Sequence, residues 1–266
     1  MNKTKRAPNK HLPPGFSLGR YLVQKKMSSG GFGVVYACIR DDGAQVAIKE
    51  YLPSSIPCRT IFNKGKIVIT DEAQAPRYRR GLASFFDEAD TLAKISSPQV
   101  IPVWDVFQRN GTAYFVMPLE RGQTLYSWIK SSQGPIPDAI IQKIFAEAAH
   151  GVSILHDHGL LHLDIKPANL WVRPDGQVVV LDLGASWWEE DTLRRHHAAR
   201  TPGFAAPEQH SKKTSKPDQR TDVYGLGATM WAALMSGDPP PPAPIRTEID
   251  APLESKLLGM RSPSLL

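Results

Sequence analysis

The chain has 266 residues and a mass of 29.4 kDa, enough for one large domain or two small lobes and too much for a peptide or a disulfide-stapled miniprotein. Apolar residues make up 41% and charged residues 22%, while 20 Gly and 23 Pro stay below the level of a disordered chain, so a packed core is expected. The net charge of +6 lies in residues 1–26, which carry seven bases and no acid, so a pI near 9.3 does not mark a nucleic-acid-binding face on the folded body.

That basic start lacks the apolar run of a signal peptide, and no stretch approaches the ~18 apolar residues of a membrane span, so a soluble, cytoplasmic chain is expected. Cys38 and Cys58 are the only cysteines, too few for a disulfide framework. Residues 1–15, with Pro8, Pro13, Pro14 and several lysines, are expected to form a basic disordered tail. Residues 20–50 are rich in Val, Ile and Tyr and are broken at Gly30–Gly31 and Asp42–Gly43, which predicts three antiparallel strands. Asn63–Lys64–Gly65 between Ile61–Phe62 and Ile67–Ile69 predicts a second small hairpin.

From Tyr78 to Ile95, Leu82, Phe85, Phe86, Ala89, Leu92 and Ala93 recur at helical spacing. Residues 100–118 return to strand character around Asn110–Gly111. Beyond Gly122 the pattern is helical. Pro137–Asp138 open a segment with a stripe of Ile140, Ile141, Ile144, Phe145, Ala148, Ala149, Val152 and Leu155. Residues 221–235 give another helix, apolar nearly all round and therefore expected to be buried. The first ~120 residues are thus mostly β with one helix and the rest mostly helical, and a cleft between two such halves is the natural ligand site.

Three short stretches carry the chemistry. Ser28–Val35 holds Gly30, Gly31 and Gly33 between two strands, so it is a strand-turn-strand flap whose backbone N–H groups can approach phosphate oxygens, although a plain hairpin turn has the same composition. Val46–Ala47–Ile48–Lys49 places a lysine among apolar neighbours, where an ammonium wants a partner such as Glu88 on the predicted helix. His162–Leu163–Asp164–Ile165–Lys166–Pro167–Ala168–Asn169 is followed by a hairpin at Pro174–Gly176 and then by Asp182–Leu183–Gly184. A carboxylate to receive a hydroxyl proton, a lysine, and an Asn and an Asp able to share magnesium form a phosphoryl-transfer set.

With Ala206–Glu208 added, this ordered set resembles the eukaryotic-like (Hanks-type) protein serine/threonine kinases, in particular their bacterial branch, over about residues 20–263. The resemblance implies an α+β bilobal protein-kinase fold: a small antiparallel β lobe with one helix over about 16–117, a linker at 118–122, and a larger, mainly helical lobe over 123–266. By it, Ser28, Gly30 and Gly33 mark the flap over the ATP phosphates, Lys49 holds the α- and β-phosphates, and Glu88 orients Lys49. Val35, Ala47, Met117, Pro118, Glu120 and Trp171 would surround the nucleotide, with Glu120 supplying a backbone donor to adenine. Asp164 would be the catalytic base, Lys166 would neutralise the moving phosphoryl group, and Asn169 with Asp182 would bind magnesium or manganese. Thr201 matches the threonine that contacts the catalytic Asp and Lys, and Asp222 the buried helix aspartate that braces the catalytic loop. The partners implied are protein substrates with Ser or Thr acceptors, the chain itself among them.

The chain departs from the family pattern in several places. Leu163 stands where many kinases have the arginine that receives an activation-loop phosphate, so that switch is not expected here. Ser28 replaces the first glycine of the flap and Leu183 a phenylalanine, while Trp171 replaces an aliphatic residue beneath adenine, where it would stack or crowd. Residues 50–76 make a long connection to the Glu88 helix, and Glu50–Tyr51–Leu52–Pro53 plus the hairpin is similar to some bacterial kinases linked to secretion-system regulation. Trp187, Trp188, Arg194, Arg195, His196 and His197 suit either a solvated loop or a docking surface for an acidic partner. Ser262–Pro263 has the look of a helix start three residues before the last residue, Leu266, so a large lobe lacking its last helices is expected, with Arg261 as a substitute partner for Glu208.

The leading expectation is an Mg-ATP-dependent protein serine/threonine kinase. An ATP-binding, scaffolding pseudokinase-like module is the alternative that the missing helices favour. A small-molecule phosphotransferase is disfavoured by the Thr201–Glu208 loop.

Overall fold

The computed structural model describes residues 11–56, 58–61, 65–69, 71–181, 187–188, 201–210 and 216–246. The chain divides into two compact units, one running to Ser97 and resuming over Ile101–Glu120, the other made of Pro98–Val100 and the chain from Arg121 onward.

The first unit is built on a six-stranded antiparallel sheet. Its strands are β1 (Ser17–Leu18), β2 (Tyr21–Ser29), β3 (Gly33–Arg40), β4 (Gln45–Tyr51), β7 (Asp105–Arg109) and β8 (Thr112–Pro118), in the order β1-β2-β3-β4-β8-β7. Between β4 and the long helix α1 (Ala75–Leu92), β5 (Cys58–Ile61) and β6 (Lys66–Ile69) pair as a separate hairpin. The three strands expected over 20–50 and the small hairpin are therefore present. Asn110, with φ 56°, makes the β7–β8 turn in the left-handed backbone that Asn and Gly tolerate.

Helix α1 begins three residues before the expected Tyr78 and ends at Leu92, short of Ile95. Pro76 lies in its first turn, where a missing N–H costs nothing. Within the stretch expected as a tail, Leu12 is fully buried and its N–H donates to Tyr36 Oη at 3.1 Å, an apolar residue secured against the sheet.

Strand register sorts the sheet's side chains onto two faces, because neighbours along a strand alternate and directly paired residues share a face. Val35 pairs with Lys49, Lys49 with Phe115, and Ala47 with Met117. On this face α1 packs, with Phe85 stacked on Phe115 at 4.9 Å between ring centroids and tilted against Tyr51 at 5.7 Å. The opposite face carries Tyr36, Glu50 and Tyr114, all buried.

The second unit is mainly helical. It holds β9 (Gln123–Thr124), α2 (Leu125–Ser131), α3 (Asp138–Asp157), β10 (Leu160–Leu161), β11 (Leu170–Val172), β12 (Val178–Val180), β13 (Trp187–Trp188), α4 (Pro207–His210), α5 (Gln219–Leu234) and α6 (Ala243–Arg246). Strands β12, β11 and β9 form a small sheet, and β10 pairs with β13. The stripe of α3 is buried at Ile141, Ile144, Phe145, Ala148, Val152 and Leu155, each large aliphatic side chain contributing about 1.5–3 kcal/mol, whereas Ile140 and Ala149 lie off it and are exposed.

Helix α5 starts at a capping box in which the Asp218 carboxylate accepts from Arg220 N–H and the Thr221 hydroxyl accepts from Asp218 N–H. It is not buried all round as expected: Thr221, Asp222, Gly225, Ala228, Thr229, Ala232 and Ala233 form its buried side, and Val223 is 61% exposed. Small residues on one side let the helix approach its neighbours closely, and the larger apolar ones lie elsewhere. Among the described residues, no helix is long and apolar enough to cross a membrane.

Candidate active site

In the first unit, Lys49 sits in the middle of β4 with only 4% of its surface exposed. Its ammonium lies 3.3 Å from Glu88 Oε1 and 5.1 Å from the centroid of the Phe115 ring. A buried ammonium needs this combination of opposite charge and ring face. The flap between β2 and β3 is a tight turn in which Gly30 N–H donates to Gly33 O at 2.9 Å. A Cβ at Gly33 would lie 2.3 Å from the Glu50 carbonyl oxygen, so only glycine lets β3 run this close to β4. The flap's carbonyls are also used: Gly31 O accepts from Ser54 N–H at 2.9 Å and Phe32 O from Leu52 N–H at 3.1 Å. Val35, Ala47 and Lys49 thus share one sheet face with Met117, while Ser28 and Pro118 lie at strand ends and Glu120 just beyond β8.

Behind that face lies a carboxylate whose burial the sequence alone does not indicate. Glu50 is 1% exposed and accepts from Tyr36 Oη at 2.6 Å and Tyr114 Oη at 2.9 Å. Burial raises its pKa to about 7 against the opposing pull of the two hydroxyls, and it pushes the thiol of Cys38, also buried, up to about 12. Strand alternation could have placed Glu50 opposite Lys49; its partners, 14 and 64 residues away, could not be read locally.

In the second unit, Asp164, Lys166 and Thr201 form a triangle. Thr201 Oγ1 donates to Asp164 Oδ1 at 2.7 Å, Lys166 Nζ donates to Asp164 Oδ2 at 2.5 Å, and Lys166 Nζ lies 3.0 Å from Thr201 Oγ1. Asn169 Nδ2 donates to the Asp164 carbonyl at 2.8 Å and to Asp164 Oδ2 at 3.1 Å, leaving its amide oxygen as an acceptor.

The backbone that carries Asp164 is clamped from below. Asp222, 1% exposed, accepts from His162 N–H at 2.8 Å and Leu163 N–H at 2.7 Å and also contacts His156 Nε2 at 2.8 Å. The His162 ring bonds Leu181 O through Nε2, so Nε2 carries the proton and Nδ1 is left to accept from Asp164 N–H at 3.3 Å. Leu181 N–H in turn donates to Asn169 O, which secures the residue before Asp182; Asp182 itself, like Leu183 and residues 194–197, falls outside the described residues. Trp171 is half-buried in β11, and its indole N–H donates to Arg121 O at 3.0 Å. The structure thus groups Lys49 with Glu88 in one unit and Asp164, Lys166, Asn169 and Thr201 in the other.

One unit made of an antiparallel sheet with a single long helix, and one mainly helical unit with an Asp–Lys–Asn loop braced by a helix aspartate, define the protein kinase fold. The sequence profile of the protein kinase domain matches residues 21–257. The chain belongs to the protein kinase domain family.

It is similar to a probable serine/threonine-protein kinase zyg-1 of Caenorhabditis briggsae, 26% identical over 88% of this chain and 30% of the relative. It is also similar to the DNA damage-responsive serine/threonine-protein kinase RqkA of Deinococcus radiodurans, 31% identical over 86% of this chain and 32% of the relative. The chain therefore spans about a third of the length of these relatives. A solved structure described as PpkA-294 apo form superposes with a TM-score of 0.79 at 28% identity, over 96% of this chain and 90% of that one. The expected resemblance to the Hanks-type serine/threonine class is met.

Proposed function

We propose that the chain is a protein serine/threonine kinase that transfers the γ-phosphoryl group of ATP to Ser or Thr hydroxyls of proteins. The observation that carries this reading is the Asp164–Lys166–Thr201 triangle, with all three contacts between 2.5 and 3.0 Å and the backbone before Asp164 fixed by Asp222. Asp164 would accept and orient the acceptor hydroxyl, Lys166 would neutralise charge on the moving group, and Thr201 would hold both. Lys49, held by Glu88, would bind nucleotide phosphates, with Gly30 and Gly33 in the flap above them and Val35, Ala47, Met117, Pro118, Glu120 and Trp171 around the base.

Asn169 fits a divalent cation, because its amide nitrogen is spent on Asp164 and its oxygen is the hard donor such a cation takes; Asp182 would complete the pair. Magnesium or manganese there would offset phosphate charge. We place the reaction in the cytoplasm, where ATP is abundant, and in bacterial signalling, on the strength of relatives from Deinococcus radiodurans, Mycobacterium leprae and Bifidobacterium longum.

The test is incubation with labelled ATP, magnesium and a basic protein acceptor beside an Asp164→Ala control. Label on Ser or Thr that vanishes in the control supports the reading. No transfer by a chain that ATP still stabilises against heat would make it a nucleotide-binding module instead.

A further inference from the structure

The buried side chain of Gln209 has no role in the reading above. It lies on the short helix α4, is 6% exposed, and has among its bonds two of opposite sense. Its Nε2 donates to the Leu163 carbonyl at 2.9 Å, across 46 residues, and its Oε1 accepts from Ala206 N–H at 2.8 Å. We propose that Gln209 is a positioning residue for Asp164, latching the Thr201–Ala206 segment to the peptide from which Asp164 hangs; the role rests on the kinase reading.

The Leu163 carbonyl and the Asp164 nitrogen belong to one rigid peptide plane, so a bond to the carbonyl fixes the direction in which the Asp164 side chain leaves the backbone. That plane needs holding. Leu163 has φ 62°, a left-handed conformation that strains a residue with a Cβ and persists only where its surroundings enforce it. Asp222 holds the N–H on one side of Leu163 at 2.7 Å, and Gln209 holds the C=O on the other.

The latch also closes a ring of bonds. The Asp164 carboxylate accepts from Thr201, whose carbonyl accepts from Phe204 N–H and Ala205 N–H at 3.0 Å each; Ala206 then bonds Gln209, which returns to Leu163. Helix α4 is itself anchored, because Glu208 accepts from the Thr221 hydroxyl at the start of α5. Side chain and backbone of Asp164 are thus registered against the same short segment. An amide is suited to this place because it offers a donor and an acceptor at once; a carboxylate offers only acceptors, and a thioether only a weak acceptor.

Two variants test the latch. Gln209→Met keeps the length and removes both bonds, and it should lower kcat by about 10–100-fold with KM for ATP and the ATP-induced rise in Tm unchanged, as expected when the nucleotide binds but the reacting groups are misaligned. Gln209→Glu keeps the bond from Ala206 and can donate to Leu163 O only when protonated. Its activity relative to wild type should therefore rise as pH falls from 8 to 6, while the Met variant's ratio stays flat.

A Met variant with kcat within about twofold of wild type, measured below its own Tm, overturns the proposal. If that variant does not fold, a Glu variant whose ratio fails to rise on acidification overturns it. Should the wild-type chain transfer no phosphoryl group, the kinase reading falls, and amide exchange decides the latch separately. Leu163–Ile165 amides that exchange faster in the variants support it, and unchanged exchange sinks it.

Discussion

The hydroxyl of Tyr51 occupies the space that a methyl group would take at Gly81: a Cβ there would lie 2.0 Å from Tyr51 Oη and 2.9 Å from Cζ. Glycine inside a helix costs about 1 kcal/mol relative to alanine, so on propensity alone Gly81→Ala should stabilise α1. The tight contact reverses the sign. We expect Gly81→Ala to destabilise the chain by ~1–3 kcal/mol in urea unfolding, and Tyr51→Phe in the same chain, which removes the nearest atom, to recover part of the loss. A more stable Gly81→Ala chain would show that the ring gives way freely.

The Lys49–Glu88 pair, buried on both sides at 3.3 Å, should behave as a coupled unit. Glu88→Leu leaves an ammonium in a site without its carboxylate and is expected to cost about 3–5 kcal/mol. Lys49→Met added to it should restore part of that stability while nucleotide-dependent activity stays lost. A double-mutant cycle on urea midpoints checks this; additive losses would mean the pair is not coupled.

Glu50 gives a pH dependence of definite sign. Its folded pKa of about 7 lies above its ordinary value of 4.5, so between these the folded chain binds more protons than the unfolded one. This contribution to stability is present in full below about pH 4.5 and is lost as pH rises through 7, at up to ~1.4 kcal/mol per pH unit and roughly 3 kcal/mol in all. Glu50→Gln should flatten that part of the stability–pH curve relative to wild type. Parallel curves for the two chains would refute the assignment.

Leu163 is 3% exposed and apolar, so it cannot receive a phosphate. Its carbonyl is joined to the Ala206 segment through the neutral amide of Gln209. Phosphatase treatment is therefore expected to leave the transfer rate within about twofold of its starting value, and a tenfold fall would point to a charged switch elsewhere.

What could be read beforehand depended on how local the signal was. Asn110–Gly111 was legible because few residues accept positive φ, and the His162–Asn169 loop because its polar groups lie within eight consecutive residues. Lys49 and Glu88 were paired correctly because a lysine among apolar residues demands a counter-charge. Glu50 stands in the Glu50–Pro53 stretch, but its burial is not legible there, since a lone strand carboxylate looks like a surface residue until Tyr36 and Tyr114 are brought to it. Gln209 gave no signal, because Ala206 N–H and the Leu163 carbonyl, to which it bonds, are backbone groups that any sequence supplies. The expectation of an all-round buried α5 failed because composition does not say that the buried side would be built from Gly, Ala and Thr.

The fastening of the glycine flap to Leu52 and Ser54 has a kinetic consequence. A glycine-rich hairpin tip ordinarily opens on its own, at a rate set by its two strands. Here the Gly31 and Phe32 carbonyls are bonded to chain about twenty residues downstream, so the tip cannot lift without releasing the start of the β4–α1 connection. Substitutions in that connection, none of them in the flap, would then set how often the flap opens.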